Sequence, residues 1–420
     1  MAFDIIIIGG GSSGLMAAVA ASENGAKVLL LDKGDKLGRK LGISGGGRCN
    51  VTNAKELDDL IKHIPGNGRF LHSALASFSN RDIMDFFEAM GIKLKEEDNG
   101  RMFPVSDKAK TVVDALVNKV RSQDVHIRVN SPVREIMYKD GRTKGVILRT
   151  GETIRSSCVI VAVGGKSVPH TGSEGDGYAW ATQAGHTITE LYPTEVPLTS
   201  NEAFIRNKDL QGLSMRGIKL AVWNPKGKKL IEHEGDMIFT HFGISGPTAL
   251  RCSQFVVKAL KQFEVKSIQV TLDMFPTKSS DDIYSETLDL AKQESKKAIK
   301  NVLKGYLQER MIPLLFKQVG LREDITFDNI PKQQWLELSK LVKAFPIAIN
   351  GTLSIEEAFV TGGGVNLKEI DPKTMESKLM QGLFFCGEVL DIHGYTGGYN
   401  ITAAFTTGFM AGKNAAEASQ

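Results

Sequence analysis

Residues 4–20 of the chain read DIIIIGGGSSGLMAAVA. Four successive isoleucines suit a strand buried on both faces, as in the middle of a parallel sheet. Three glycines, two serines and a fourth glycine follow, and then an alanine-rich stretch of high helix propensity. The spacing Gly9-x-Gly11-x-x-Gly14 between strand and helix gives each glycine a task. Gly9 permits the tight turn. Gly11 removes the side chain that would keep a diphosphate from the main chain, and Gly14 lets the helix pack closely on the sheet. The free N–H groups and dipole of the helix N-terminus, at Ser12 and Ser13, favour an anion. Asp32 ends the next apolar run, where a carboxylate accepts from ribose hydroxyls and disfavours a 2′-phosphate. Strand, turn, helix, second strand and acid arrive in register, so the segment reads as a dinucleotide site, better suited to FAD or NAD than to NADP.

Working outward, residues 3–8, 14–23 and 27–31 are predicted as strand, helix and strand, followed by a glycine-rich loop, GRKLGISGGGRCNVTN, at 38–53. Helical patterns recur at 79–90 and 108–121, and HIRVNSPVREIMY, TKGVILRTG and CVIVAVGG read as strands. From residue 191 period-two alternation and turn signals predict a small β domain or barrel. Residues 281–343 read as wholly helical, with Leu288, Ala291, Ile299, Val302, Leu303, Tyr306 and Leu307 on one apolar face. Strand–glycine–helix then returns. The expected fold is α/β: a Rossmann-like dinucleotide domain in two parts, 1–190 and 346–420, interrupted by a β-barrel-like domain at 191–280 and a helical domain at 281–345.

The far end of the chain decides between FAD and NAD. GLFFCGEVLD, residues 382–391, is a buried strand ending in Gly387 and Glu388, and GYTGGYNITAAFTTGFMAG, residues 394–412, sets glycines directly before another helix. A second strand–Gly–acid unit so far from the first is hard to explain in a domain that binds NAD alone. It is expected where a flavin lies extended across the sheet, the acid meeting the ribityl or phosphate region and the helix N-terminus facing the ring.

With these blocks, together with GRMFPVSDKA, VAVGGKSVPHTGSEGDGY, FTHFGISGPTALR and TGGGV, the chain resembles the bacterial NAD(P)/FAD-dependent oxidoreductases of the BaiN/RdsA, or YhiN-like, type, which have a glutathione-reductase-type FAD fold. The resemblance spans essentially the whole chain. It implies FAD contacts at Ser13, Asp32, Arg39, Lys40, Ser44, Gly45, Val133, Glu388, Asn400 and Ile401. The candidate cofactor residues also take in Gly9, Gly11, Ser12, Gly14, Lys33, Gly46, Arg48, Cys49, Asn50, Ala162, Val163, Gly164, Gly387 and Gly398. Reactions associated with the family include reduction of unsaturated bile-acid intermediates, oxidation of small amines and reduction of ribosomal RNA uridine to dihydrouridine.

The expected activity is NAD(P)H-driven reduction of an activated double bond in a small molecule by hydride from flavin N5. An RNA-modifying flavoenzyme and a flavin-binding protein without turnover are the alternatives. No second strand–GxGxxG–helix unit is present, so NAD(P)H is expected as a transient co-substrate at the flavin face. Disulfide reductases of this fold class carry a CxxxxC pair after the second strand; here Cys49 is followed five residues later by Ala54, which excludes a dithiol relay. Cys49 reads as a packed cysteine, or as a thiolate favoured by Arg48. Arg39 and Lys40 suit cofactor contacts. His241, His393 and Tyr395 are candidate proton donors, with His170 a similar case, and Arg101 a candidate for an anionic group. Lys292, Lys296, Lys300 and Lys304, spaced by four with Lys297 beside them, could meet RNA or simply be solvated.

The composition bounds the rest. A chain of 420 residues with 42% hydrophobic and 24% charged content is globular and large enough for two or three domains. A net charge of +4 does not by itself call for nucleic acid. Four scattered cysteines without zinc spacing, no run long enough to span a bilayer and no basic leader suit the cytoplasm. No feature sets an oligomeric state.

Overall fold

The computed structural model describes residues 3–420. The chain divides into two compact units, one formed by residues up to 192 together with 355–420, the other by residues 193–354.

The first unit is built on a five-stranded parallel sheet. Its strands are β1 (Ile5–Ile8), β2 (Val28–Leu31), β3 (His126–Arg128), β4 (Cys158–Val161) and, from the far end of the chain, Leu383–Phe385, in the order Leu383–Phe385, β4, β1, β2, β3. The four isoleucines of β1 are 0–4% exposed, and burying each contributes about 2 kcal/mol. Helix α1 (Ser12–Glu23) opens directly from β1. The helix near the C-terminus, Tyr399–Ser419, lies along α1. Its small residues allow the close approach: a Cβ on Gly408 would fall 2.3 Å from the Ser13 carbonyl oxygen, and one on Gly412 2.2 Å from that of Ala17.

Because β1 sits between β2 and β4, successive connections leave the sheet in opposite directions, and a crevice opens at the carboxyl ends of the strands. Gly9, Asp32, Ala162 and Cys386 all stand there. Residues 38–53 are not the open loop expected: Arg39–Gly47 is helical to Ile43, then breaks at Ser44 (ψ 152°) into Gly45, Gly46 and Gly47, all with positive φ. Two further strands, β5 (Ile188–Thr194) and β6 (Val360–Val365), pair with each other where the chain leaves and re-enters this unit.

The second unit holds a seven-stranded antiparallel sheet, with Ser214–Trp223 and Lys229–Phe239 as its longest strands. Phe345–Ile349 pairs with Ile268–Asp273, and Gly351–Thr352, two residues further on, pairs with Leu198–Thr199. One short segment therefore serves both ends of the sheet, which curls into a barrel-like form. The segment read as wholly helical is broken: Ser280–Gln293, Ile299–Val302, Ile312–Val319 and Lys332–Lys343 are separated by turns. These helices share one core with the sheet, in which Ile283, Leu315, Trp335 and Leu338 join Leu220, Phe239 and Val270.

Candidate cofactor site

A cavity of about 570 Å³ lies at the carboxyl edge of the parallel sheet, and all its lining residues belong to the first unit. At one side the β1–α1 turn brings Gly9, Gly11, Ser12 and Ser13 to its wall. Gly9 has φ +105°, and a Cβ there would lie 2.5 Å from the Ala162 carbonyl oxygen. Gly11 is the opposite case, with nothing within 4 Å of where its Cβ would project. No side chain caps α1, so its first-turn N–H groups are left for a ligand. Gly14 does not line the cavity; a Cβ there would meet the Gly9 carbonyl oxygen at 1.8 Å, so its task is helix–strand packing.

Asp32 lines the cavity, and its carboxylate oxygens accept from the N–H groups of Gly10 and Gly34, each at 2.7 Å. The acid therefore clamps the turn as well as facing the space where ribose hydroxyls were expected. Lys33, beside it, is paired with Glu174 at 2.6 Å and Asp176 at 2.5 Å. Arg39 lines the cavity while its guanidinium is paired with Asp35. Ser44, Gly45, Gly46 and Asn50 follow along the same wall, with Val133, Ala162, Val163 and Gly164 completing that side.

Farther along, Lys40 and Glu388 meet across 348 residues of sequence, Nζ to Oε2 at 2.7 Å. Ser167 Oγ donates to Glu388 Oε1 at 3.0 Å, and the Thr361 N–H donates to the same oxygen at 2.7 Å. Burial alone would raise the Glu388 carboxyl, but Lys40 and these donors hold it below the ordinary glutamate value. Gly387, Gly398, Asn400 and Ile401 close the wall at the second helix N-terminus, which no side chain caps. The Asn400 side chain is turned inward as a brace, accepting from the Gly394 N–H at 2.7 Å and donating to the Gly394 carbonyl at 2.8 Å.

Two uncapped helix N-termini, an open position at Gly11 and a buried Asn50 Oδ1 with no hydrogen-bond partner all face or border this cavity. That set fits a long dinucleotide with a diphosphate near α1 and a polar ring system near Asn50. The family described as HI0933-like protein Rossmann domain matches residues 3–414.

The chain belongs to the HI0933-like family.

Among curated relatives, it is 31% identical over 98% of each chain to a 3-dehydro-bile acid delta(4,6)-reductase of Clostridium scindens. It is 30% identical, again over 98% of each, to a ribosomal RNA dihydrouridine synthase of Escherichia coli. Among solved structures, a 3-ketosteroid delta1-dehydrogenase from Sterolibacterium denitrificans superposes with a TM-score of 0.54 over 99% of each chain at 14% identity, a likeness of fold. This HI0933-like chain has the Rossmann-type FAD-binding fold and is a flavin-dependent oxidoreductase.

Several expectations are corrected. Arg48 does not reach the cavity: its guanidinium bonds Glu97 and Asp107 and lies 4.2 Å from the centre of the Phe103 ring. Cys49 is also off the wall, fully buried, and burial pushes its thiol up to about 12, opposite to activation by Arg48. Of the proton-donor candidates Tyr395 lines the cavity, whereas His393 is buried behind it. His241 stands on an exposed turn of the second unit, next to the Phe242 ring, and His170 is exposed. Arg101 is off the wall, donating to the Asp98 carbonyl.

The lysine row is not one helix face. Ser280–Gln293 ends before Lys296, and Lys292, Lys297, Lys300 and Lys304 pair with Asp289, Glu294, Glu323 and Glu309. Sequence reading missed Ser167 and Trp180, the first bracing Glu388 and the second lining the wall. Neither carries a local signal, because each reaches the site through a contact remote in sequence. Among the described residues no helix is long and apolar enough to cross a membrane.

Proposed function

We propose that this flavoenzyme takes electrons from NADH or NADPH and reduces an activated carbon–carbon double bond of a small molecule. The carrying observation is one continuous cavity running from the uncapped N-terminus of α1 to that of Tyr399–Ser419. In this reading the amides at Gly11–Ser13 hold the diphosphate, Asp32 the ribose edge, and Lys40 with Glu388 the middle of the chain. The amides at Gly398–Ile401, beside Asn50 on the same wall, take the polar edge of the ring system. Bound FAD supplies hydride transfer. The protein supplies position, a fixed positive end from the second helix, and a proton, for which Tyr395, a residue of the cavity wall, is the candidate donor.

Electrons are not routed through a dithiol in this proposal. All four cysteines are buried and unpaired, and burial raises each thiol. Such thiols also suit a reducing, cytoplasmic setting. A conjugated ketone of the kind named for the Clostridium scindens relative is the substrate class to test first. The second reading, reduction of uridine in ribosomal RNA, draws on the Escherichia coli relative. Lys292, Lys297, Lys300 and Lys304 stand in exposed local pairs, which weakens the lysine row as a reason to favour it.

The deciding experiment gives purified, flavin-loaded protein NADH or NADPH without oxygen, then an unsaturated 3-oxo steroid acid or a uridine-containing ribosomal RNA fragment. Bleaching of the flavin followed by reoxidation on the steroid supports the proposal. Reoxidation only on RNA, with dihydrouridine by mass spectrometry, supports the second reading. No bleaching by either nicotinamide removes the donor.

A further inference from the structure

His393 is 1% exposed, and its Nε2 shares a hydrogen bond with the Tyr192 hydroxyl at 2.8 Å. The two rings meet edge to face, 5.7 Å between centres and 88° between planes. Two glycines make room for them. A Cβ on Gly66 would lie 2.2 Å from the His393 ring, and one on Gly362 would lie 2.4 Å from the Tyr192 ring. The main chain fastens the same place: the Gly66 N–H donates to the His393 carbonyl at 2.9 Å, and the His393 N–H to the Gly66 carbonyl at 3.2 Å.

Neither ring lines the cavity, yet both stand next to chain that does. Tyr192 lies in β5 and is the last residue of the first unit before the chain departs at Pro193. Immediately after His393, residues Tyr395, Thr396, Gly397 and Gly398 form the cavity wall and lead into the helix whose N-terminus faces it. That segment is also held by main-chain bonds, by the Asn400 brace, and by Asn67 and Asn53, whose side-chain amides donate to the Asp391 carbonyl at 2.8 Å and the Gly397 carbonyl at 2.9 Å. The Tyr192 contact ties it to β5 through a side chain.

We infer that Tyr192 and His393 are a positioning pair: their shared hydrogen bond holds residues 391–398 in register, and so sets where Tyr395 and the helix N-terminus stand against the cofactor. This rests on the cavity being the flavin site, and assigns His393 a role behind the wall instead of in the chemistry. The bond joins β5 directly to the chain that enters the cavity wall, so its loss is expected to be felt first in that segment.

The test is Tyr192→Phe, which keeps the ring and removes only the hydroxyl. In flavin-free protein, amide hydrogen exchange over residues 391–398 is expected to speed up about fivefold, the worth of one net buried hydrogen bond, with the β1–α1 turn unchanged. In holoprotein the FAD dissociation constant rises by a similar factor and the visible flavin spectrum shifts. His393→Leu reproduces this, while His393→Gln, which keeps a nitrogen in reach of Tyr192, restores the wild-type spectrum. Unchanged exchange and spectrum in Tyr192→Phe overturn the inference. So does an even loss of protection across the unit with a wild-type spectrum, which marks a merely structural contact. Should wild-type protein take up no flavin, the cofactor reading fails while the exchange measurement still decides the pair.

Discussion

Replacing Gly11 with alanine separates the cofactor site from the fold. The position has an extended backbone, φ −80° and ψ −170°, which any residue adopts, and nothing lies within 4 Å of the added Cβ. In the empty protein two small terms oppose each other. Alanine is a poorer N-cap than glycine, by about 0.5–1 kcal/mol, and it narrows the unfolded ensemble by about 0.4–1 kcal/mol. Flavin-free stability should therefore stay within about 1 kcal/mol of wild type. Bound cofactor is another matter, because the methyl occupies the space by which a diphosphate reaches the first-turn amides. Two hydrogen bonds to a charged group, at about 1.5–3 kcal/mol each, amount to about 3–6 kcal/mol, or roughly 10²- to 10⁴-fold in FAD affinity. Thermal melts with and without FAD, beside a titration of the flavin absorbance, read both quantities. Wild-type protein gains about 4 kcal/mol at a thousandfold excess over its dissociation constant, and the variant gains little at the same concentration. Gly14→Ala is the contrast: its Cβ would meet the Gly9 carbonyl oxygen at 1.8 Å, so the empty protein itself should lose several kcal/mol. Gly11→Ala binding FAD as tightly as wild type would falsify the placement of the diphosphate.

Glu388→Gln should cost about 2 kcal/mol at neutral pH, less than a fully buried pair because Lys40 and Glu388 side chains remain 29% and 19% exposed. The Glu388 carboxyl is held below its ordinary value of 4.5, so its contribution is present above that pH and fades as pH falls through the folded value; the gap between wild type and variant in urea titrations should close in acid. Native protein at pH 8 should resist alkylation at all four cysteines, since burial raises Cys158 to about 11 and Cys49 and Cys386 to about 12; rapid labelling of Cys49 by iodoacetamide would contradict its packed role. Changing Lys292, Lys300 and Lys304 together to glutamine should alter stability by no more than about 1–2 kcal/mol and leave flavin reduction unchanged, each being an exposed pair; a large fall in affinity for ribosomal RNA would instead revive the nucleic-acid reading.

Local sequence was enough wherever the physics is local. Four isoleucines against three glycines have few alternatives to a buried strand entering a tight turn; Gly9 and Gly14 do the turn and packing jobs their spacing implies, and Gly11 leaves open space beside the first turn of α1. The strand ending at Gly387–Glu388 and the glycines before Tyr399 announced a second approach to the same edge for the same reason. Arg48, Cys49 and His393 were legible as residues near the site but not as residues off its wall. Which way a side chain turns after a run of left-handed glycines depends on partners such as Glu97, Asp107 and Tyr192, which no local pattern names. The lysine row looked continuous because a period of four was counted through residues where the helix stops.

The amino-acid order alone therefore determined that a parallel sheet presents two helix N-termini, and which backbone positions must lack a side chain there. Only the folded chain decided the electrostatics between them: Lys40 neutralising Glu388, Asp32 clamping its own turn, Tyr192 reaching His393. Backbone conformation is settled by steric terms acting over a few residues, whereas charge pairing and burial depend on distances in space that the chain acquires only once it has packed.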